Sequence, residues 1–239
     1  MSENPLDENL EPVLSGEGAS DYERYLRTDE LLALQKGPEE RAHRDELLFQ
    51  TVHQSSELWL KHACFEVETA TELIRAGDLA GANRLLRRAA LGVSLIIEQL
   101  RMLEQMSPWE YQEVRKVLGH GSGFDSPGFR AVRHVSPELG QAFSDRLRVQ
   151  GLTLVELYQR GRELEELYQL AELLLEWDER VTLWRFHHFK VVERIIGGEV
   201  VGTQGTPVEL LGALIRRRFY PELWRVRDKL TEIAGTSPG

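Results

Sequence analysis

The sequence holds a single cysteine, Cys64, among 239 residues. One thiol closes no internal disulfide and builds no cysteine-rich zinc site, so neither can hold this chain together. No stretch approaches the ~20 consecutive apolar residues that span a bilayer. The opening "MSENPLDENLEPVLSGEGAS" lacks the basic-then-apolar order of a secretory leader. Positive charge is in deficit, with 29 Lys+Arg against 39 Asp+Glu and a net charge of −10. Such a chain is repelled by nucleic-acid phosphates and by anionic membrane surfaces. Its one basic run, Arg216-Arg217-Arg218, reads as a solvated helix face. The phosphate loop GxxxxGK(S/T), a GxGxxG after a strand, the GxSxG elbow and HExxH are all missing. The expectation is a cytoplasmic protein with neither a nucleic-acid nor a membrane partner.

What is present is helical periodicity. Hydrophobic residues make up 41% of the chain, enough for a core, and no run alternates as a half-buried strand does. Residues 1–20 are acidic and rich in small residues, and read as a disordered lead-in to a single domain over 21–239. Helices are expected over Asp21–Gln35 and Arg41–Ala76, with a break at Gly77-Asp78, then over Leu79–Met106. "SPWE", Ser107 to Glu110, reads as a capping box with proline at the first helical position, and "TPVE", Thr206 to Glu209, repeats it. Between lie the glycine-rich "GHGSGFDSPG", Gly119 to Gly128, and a long helix from Gly161 to Gly197. Two helices separated near Pro221 finish the chain. The fold class is all-α, a bundle of long antiparallel helices.

Candidate chemistry is thereby narrowed to histidine on helices. The Glu-x-x-His spacing of a di-iron bundle occurs at Glu40–His43, beside Gly37-Pro38, and the second copy such a site needs is missing. "LWRFHHFKVVERIIGG", Leu183 to Gly198, carries two adjacent imidazoles that periodicity separates. His188 shares a stripe with Trp184, Val191 and Ile195, so it points to the apolar interior. His187 falls with Lys190 and Arg194, toward a wetter rim. A neutral imidazole facing an apolar cavity suits an axial haem ligand. His53 shares a face with Phe49, four residues before it; alone, a helical histidine of this kind is more often a satisfied core or surface group.

Several segments in order along the chain resemble the tryptophan 2,3-dioxygenase family. They are "YERYLRTDELLALQ" (Tyr22 to Gln35), "DELLFQTVHQSSELWLK" (Asp45 to Lys61), "MSPWEYQEVRKVLGHGSGFDS" (Met106 to Ser126), "LWRFHHFKVVERIIG" (Leu183 to Gly197) and "RFYPELWRVR" (Arg218 to Arg227). The resemblance implies a helical homo-oligomer, tetramer or dimer, that binds haem b (iron protoporphyrin IX) and uses O2 on the indole ring of L-tryptophan. It implies His188 as proximal iron ligand and His53 as the distal histidine near the indole N–H. It implies Phe49 as an aromatic wall, Tyr111 as a lining group and Arg115 as the clamp on the substrate carboxylate. Ser122 falls in the loop beside the haem, and Tyr22 and Tyr25 match residues that reach a neighbouring subunit's site. Trp109 is a further candidate for the indole slot.

The chain departs from the family pattern at two places. The stretch from about Ala131 to Glu163 is short. The lid after the proximal helix reads "GEVVGTQGTPVELL" where the family carries a "GTGGSSG"-type loop. Thr203 stands nearest to that loop's threonine, one residue out of register, and Thr206 is taken as a helix cap. A different lid changes how water is excluded. Three functions therefore stand as expectations: ring-opening dioxygenation to N-formylkynurenine; mono-oxygenation of tryptophan or a methyl-tryptophan to a 2-oxindole or hydroxylated product; and a non-catalytic haem sensor.

Overall fold

The computed structural model describes residues 11–201 and 209–236, and among these there is no β-strand. Ten α-helices follow one another: α1 (Asp21–Leu26), α2 (Thr28–Leu32), α3 (Glu46–Ala76), α4 (Leu79–Leu103), α5 (Pro108–Val117), α6 (Pro127–Val149), α7 (Leu154–Gln159), α8 (Glu165–Ile196), α9 (Glu209–Ile215) and α10 (Pro221–Thr236). Short 3-10 turns sit at Pro38–Glu40 and Gly123–Asp125. The all-α bundle expected from the pattern is what forms.

Four long helices make the frame. Ser55 meets Gln99 and Glu66 meets Arg88, so α3 and α4 run antiparallel as a hairpin. Trp177 meets Ser136 and Trp184 meets Phe129, so α8 and α6 make a second antiparallel pair. Between the pairs the direction is shared: α3 runs with α6 (Glu57 to Gly128, Arg75 to Glu138), and α4 runs with α8 (Asn83 to Glu166, Arg194 to Glu104). The bundle is thus two hairpins side by side. The first turns where the sequence says it should. Gly77 closes α3 at φ +92°, which glycine adopts without a Cβ clash, and the Asp78 carboxylate then caps α4 by accepting from the Gly81 N–H at 2.8 Å.

Two apolar clusters fill the frame. The larger lies along all four long helices and includes Leu60, Val67, Leu86, Val93, Leu139, Leu174 and Trp177. The smaller gathers Val52, Leu100, Leu103, Met106, Val114, Val191 and Ile195 where α3 begins and α4 and α8 end. Trp184 packs against both clusters. The functional cavity opens at this second end.

Several element boundaries differ from the expected ones, each for a local reason. The helix expected over Asp21–Gln35 breaks at Arg27, which takes a left-handed conformation (φ +53°, ψ +46°) while its guanidinium forks onto Glu30. Neither glycine nor proline marks that break. The helix expected from Arg41 starts only at Glu46, because the buried Glu46 carboxylate turns back to accept from the Ala42 N–H at 2.8 Å and from Lys36 Nζ at 2.5 Å. α4 ends at Leu103 and α8 starts at Glu165, a few residues inside the expected bounds. Ser107 and Pro108 do open α5, but the capping box is not made: the Ser107 side chain accepts no bond, and Glu110 lies 3.9 Å from His43 Nε2 instead. Boxes form at Ser20/Glu23 and Thr153/Glu156. Arg216 to Arg218 lie in the link between α9 and α10, so they are no helix face. The box expected at Thr206 lies outside the described residues. Of the acidic lead-in, residues 13 and 14 donate their N–H groups to Asp21 at the head of α1.

Candidate active site

Phe49, His53 and Glu57 stand four residues apart on α3, so one face of the helix presents all three. Tyr111 and Arg115 repeat the spacing on α5, and Trp184 and His188 repeat it on α8. These three stripes meet around a cavity of about 520 Å³, within the size range of ligand sites. Leu103, Met106, Val132, Val191, Ile195 and Leu214 make much of its wall apolar, and the loop from Gly121 to Ser126 edges it.

His188 faces this cavity, whereas His187 is exposed on the outside with its ring edge-on to Phe186. The His188 ring is the end of a three-ring stack: Trp184 lies parallel to it at 5.1 Å (12°), and Phe129 lies on Trp184 at 3.4 Å (22°). Such stacking fixes the plane of the imidazole, each pair contributing about 0.5–1.5 kcal/mol beyond burial. Burial, with a smaller repulsion from His53, brings the His188 pKa down to about 4, so the ring is neutral at pH 7. Neither ring nitrogen has a hydrogen-bond partner among the described residues. The Gly123 backbone lies close to this ring: a Cβ built there would stand at ordinary contact distance, 3.7 Å from Cε1 and 3.9 Å from Nε2.

His53 has surface open to water, but that surface looks into the cavity. Its Nδ1 lies 2.7 Å from the Phe49 carbonyl oxygen. A carbonyl only accepts, so Nδ1 carries the proton and Nε2 keeps its lone pair. Burial lowers the His53 pKa, against the Phe49 bond and the Glu57 charge, which raise it. The Phe49 ring packs on His53 at 4.0 Å and on Tyr111 at 6.1 Å. Burial raises the Tyr111 phenol, with Arg115 pulling it partly back, so it stays protonated. Arg115 donates to the Val201 carbonyl at 2.8 Å, tying α5 to the segment after α8.

Glu57 was not legible as a site residue. One of its oxygens accepts from the Ser126 hydroxyl at 2.5 Å and the other from the Gly128 N–H at 2.8 Å. It thereby pins the glycine-rich loop to the helix that carries His53. Gly128 is required for that approach, since a Cβ would fall 2.6 Å from Leu60 Cδ1 and 2.7 Å from Glu57 Oε2. Ser122 lines the cavity and its hydroxyl accepts from the Phe124 N–H at 3.3 Å, shaping the same loop.

Not every expected residue joins the cavity. Trp109 is 81% exposed and does not line the cavity, a correction to its place in the indole slot. Tyr22 and Tyr25, on α1, are 69% and 78% exposed and line no part of it. Thr203 lies outside the described residues. Conversely, Arg133, Arg185 and Arg217 line the cavity from α6, α8 and the α9–α10 link, though nothing in their sequence spacing brings them together.

The model of the family described as tryptophan 2,3-dioxygenase matches residues 7–149 and 140–230. This chain belongs to the tryptophan 2,3-dioxygenase family. A protein named tryptophan 2,3-dioxygenase from Caulobacter vibrioides is 35% identical, with 87% of this chain and 98% of the relative aligned. One of the same name from Erythrobacter litoralis is 33% identical over 87% of this chain and 98% of the relative. A third, from Myxococcus xanthus, is 32% identical over 93% and 94%. The Caulobacter alignment spans 260 positions, more than the whole of this chain, so that tryptophan 2,3-dioxygenase carries residues absent here. The two family matches overlap at 140–149, in the second half of α6. There the chain turns tightly through Gly151 (φ +64°) into α7.

Proposed function

We propose that this chain is a haem-dependent dioxygenase that opens the indole ring of L-tryptophan, adding both atoms of O2 to give N-formylkynurenine. The observation that carries this reading is the family match along nearly the whole chain, joined to one cavity lined by both His53 and His188. Family membership favours ring-opening dioxygenation over the single-oxygen insertion and the sensor.

Two features support haem b in the cavity. His188 offers a neutral, unbonded imidazole on a rigid helix, and apolar side chains line the surrounding wall. When bound through His188, haem supplies the iron at which O2 is activated. The chain's own groups then act on the amino acid. His53 accepts the indole N–H at its Nε2, and Phe49 walls the ring. The Arg115 guanidinium has donors beyond the one given to Val201 and forks onto the substrate carboxylate, with Tyr111 one turn away. Glu57 and Ser122 hold the loop that bounds the pocket. Thr203 is assigned to the amino-acid end of the substrate. Both oxygen atoms end in one product, so the reaction draws on no outside reductant.

The exposure of Tyr22 and Tyr25 supports a homo-oligomer, tetramer or dimer, in which α1 of one subunit approaches a neighbour's cavity. The setting we assign is the cytoplasm, in keeping with the one free cysteine, Cys64. Turnover of L-tryptophan with isotope-labelled dioxygen tests the activity. The expected product gains two labelled oxygens and shows kynurenine-type absorbance. Gain of one oxygen, or haem-loaded protein without turnover, overturns the reading.

A further inference from the structure

The cavity has a second cationic pole besides Arg115. Arg133 on α6, Arg185 on α8 and Arg217 after α9 line it from three separate elements. The chain is rich in acid, and arginines elsewhere find it: Arg27, Arg75, Arg148, Arg160, Arg225 and Arg227 all pair with carboxylates. Among the described residues the three cavity arginines pair with none. Arg185 is fixed in place, donating to the Leu214 and Arg217 carbonyls at 3.4 and 2.9 Å with its guanidinium 5.2 Å from the Phe219 ring. Burial pulls Arg185 below its ordinary range; Asp178 opposes this, and the charges of Arg217 and Arg133 add to it. The acids nearby are engaged. Asp178 accepts from N–H groups of Phe219, Tyr220 and Trp224. The two carboxylates in the cavity wall, Glu57 and Asp125, accept from Ser126, Gly128 and Ser122.

Arg133 and Arg217 are exposed at the edge of the cavity and Arg185 is half-buried, so an anion held among them relieves their mutual repulsion and offsets the burial of Arg185. Guanidinium forks match carboxylates. We propose that Arg133, Arg185 and Arg217 form a carboxylate-binding wall that takes the two propionate arms of the haem. Arg115 is left for the single carboxylate of the amino acid, so the two poles sort the two ligands. This assignment rests on the reading that haem occupies the cavity.

The test compares two probes on haem-free protein: ferric protoporphyrin IX and its dimethyl ester, in which both carboxylates are blocked. Binding and release are followed at the Soret band. Arg133→Gln, Arg217→Gln and the double variant are suitable because neither guanidinium makes a hydrogen bond among the described residues; Arg185 is left intact because it supports the link. Each substitution is expected to weaken the free acid about two- to fivefold, the range of an exposed ion pair, and the double variant further. Affinity for the ester is expected to stay unchanged. Equal losses for both probes, or no loss for either, overturn the assignment. Wild-type protein that takes up neither probe overturns the haem reading itself, and the absent Soret shift distinguishes that failure.

Discussion

Replacing Asp178 by alanine is expected to unseat the C-terminal helix. Its carboxylate is 0% exposed and sits on α8 facing the start of α10. It accepts from the Phe219 N–H through both oxygens at 3.0 Å, from the Tyr220 N–H at 3.2 Å and from Trp224 Nε1 at 3.0 Å. Two of these donors are backbone groups at the head of α10, where a negative charge also complements the helix dipole. Alanine leaves three donors without acceptors, each costing about 1–3 kcal/mol if it stays buried. The costs do not add fully, because the segment can relax toward water, while Tyr220 still holds it by donating to the Ser136 carbonyl at 2.9 Å. A loss of about 3–5 kcal/mol is therefore expected. Urea unfolding of haem-free protein, followed by far-UV circular dichroism, measures it without ligand linkage. Asp178→Asn is the companion variant: it keeps the volume but turns one acceptor into a donor facing donors, and should lose about half as much. A midpoint shift worth under about 1 kcal/mol in both variants would refute the reasoning, since the donors would then be finding water.

Four further outcomes are expected. His188→Ala loses the Soret band of haem-loaded protein while His187→Ala keeps most of it; equal losses would remove the distinction between the two rings. Arg115→Ala weakens tryptophan binding about tenfold or more at unchanged haem content, measured by optical titration; unaltered binding removes it from the substrate site. Glu57→Gln places an amide donor against the Ser126 hydroxyl or the Gly128 N–H, and costs about 1–3 kcal/mol in urea unfolding, with faster hydrogen exchange in the 119–128 loop; full protection there would contradict its role as a pin. The neutral form of His53 persists down to a pKa below the ordinary 6.5, because burial outweighs the bonds that favour its charge. Tryptophan affinity should thus be level above pH 6.5 and fall only as pH drops through the lowered value, and in His53→Phe the affinity is weaker and that acid limb is gone. An acid limb centred above pH 6.5 would count against this.

Much of the site was legible along single helices. Residues four apart share a face, so Phe49 with His53, Tyr111 with Arg115, and Trp184 with His188 could be paired, and His187 could be set apart from His188, by periodicity alone. The Gly77-Asp78 hairpin was legible too, since one residue tolerates φ > 0 and the next caps a helix. The break at Arg27 was not, because an ion pair with Glu30 holds a conformation that arginine by itself disfavours. Nor was the bare cap at Ser107, where Glu110 lies near His43 instead of turning back.

What only the tertiary structure decided is everything that depends on one helix's position against another. Glu57 reads as a polar residue on α3 until α6 brings Ser126 and Gly128 to it. Asp178 reads as a stray acid in an apolar helix until α10 docks on it. Arg133, Arg185 and Arg217 are far apart along the chain and meet only because three elements converge on one cavity. Periodicity reports which way a side chain points from its own axis. It carries no information on the relative shift of two axes, and that shift is set by packing the whole core at once.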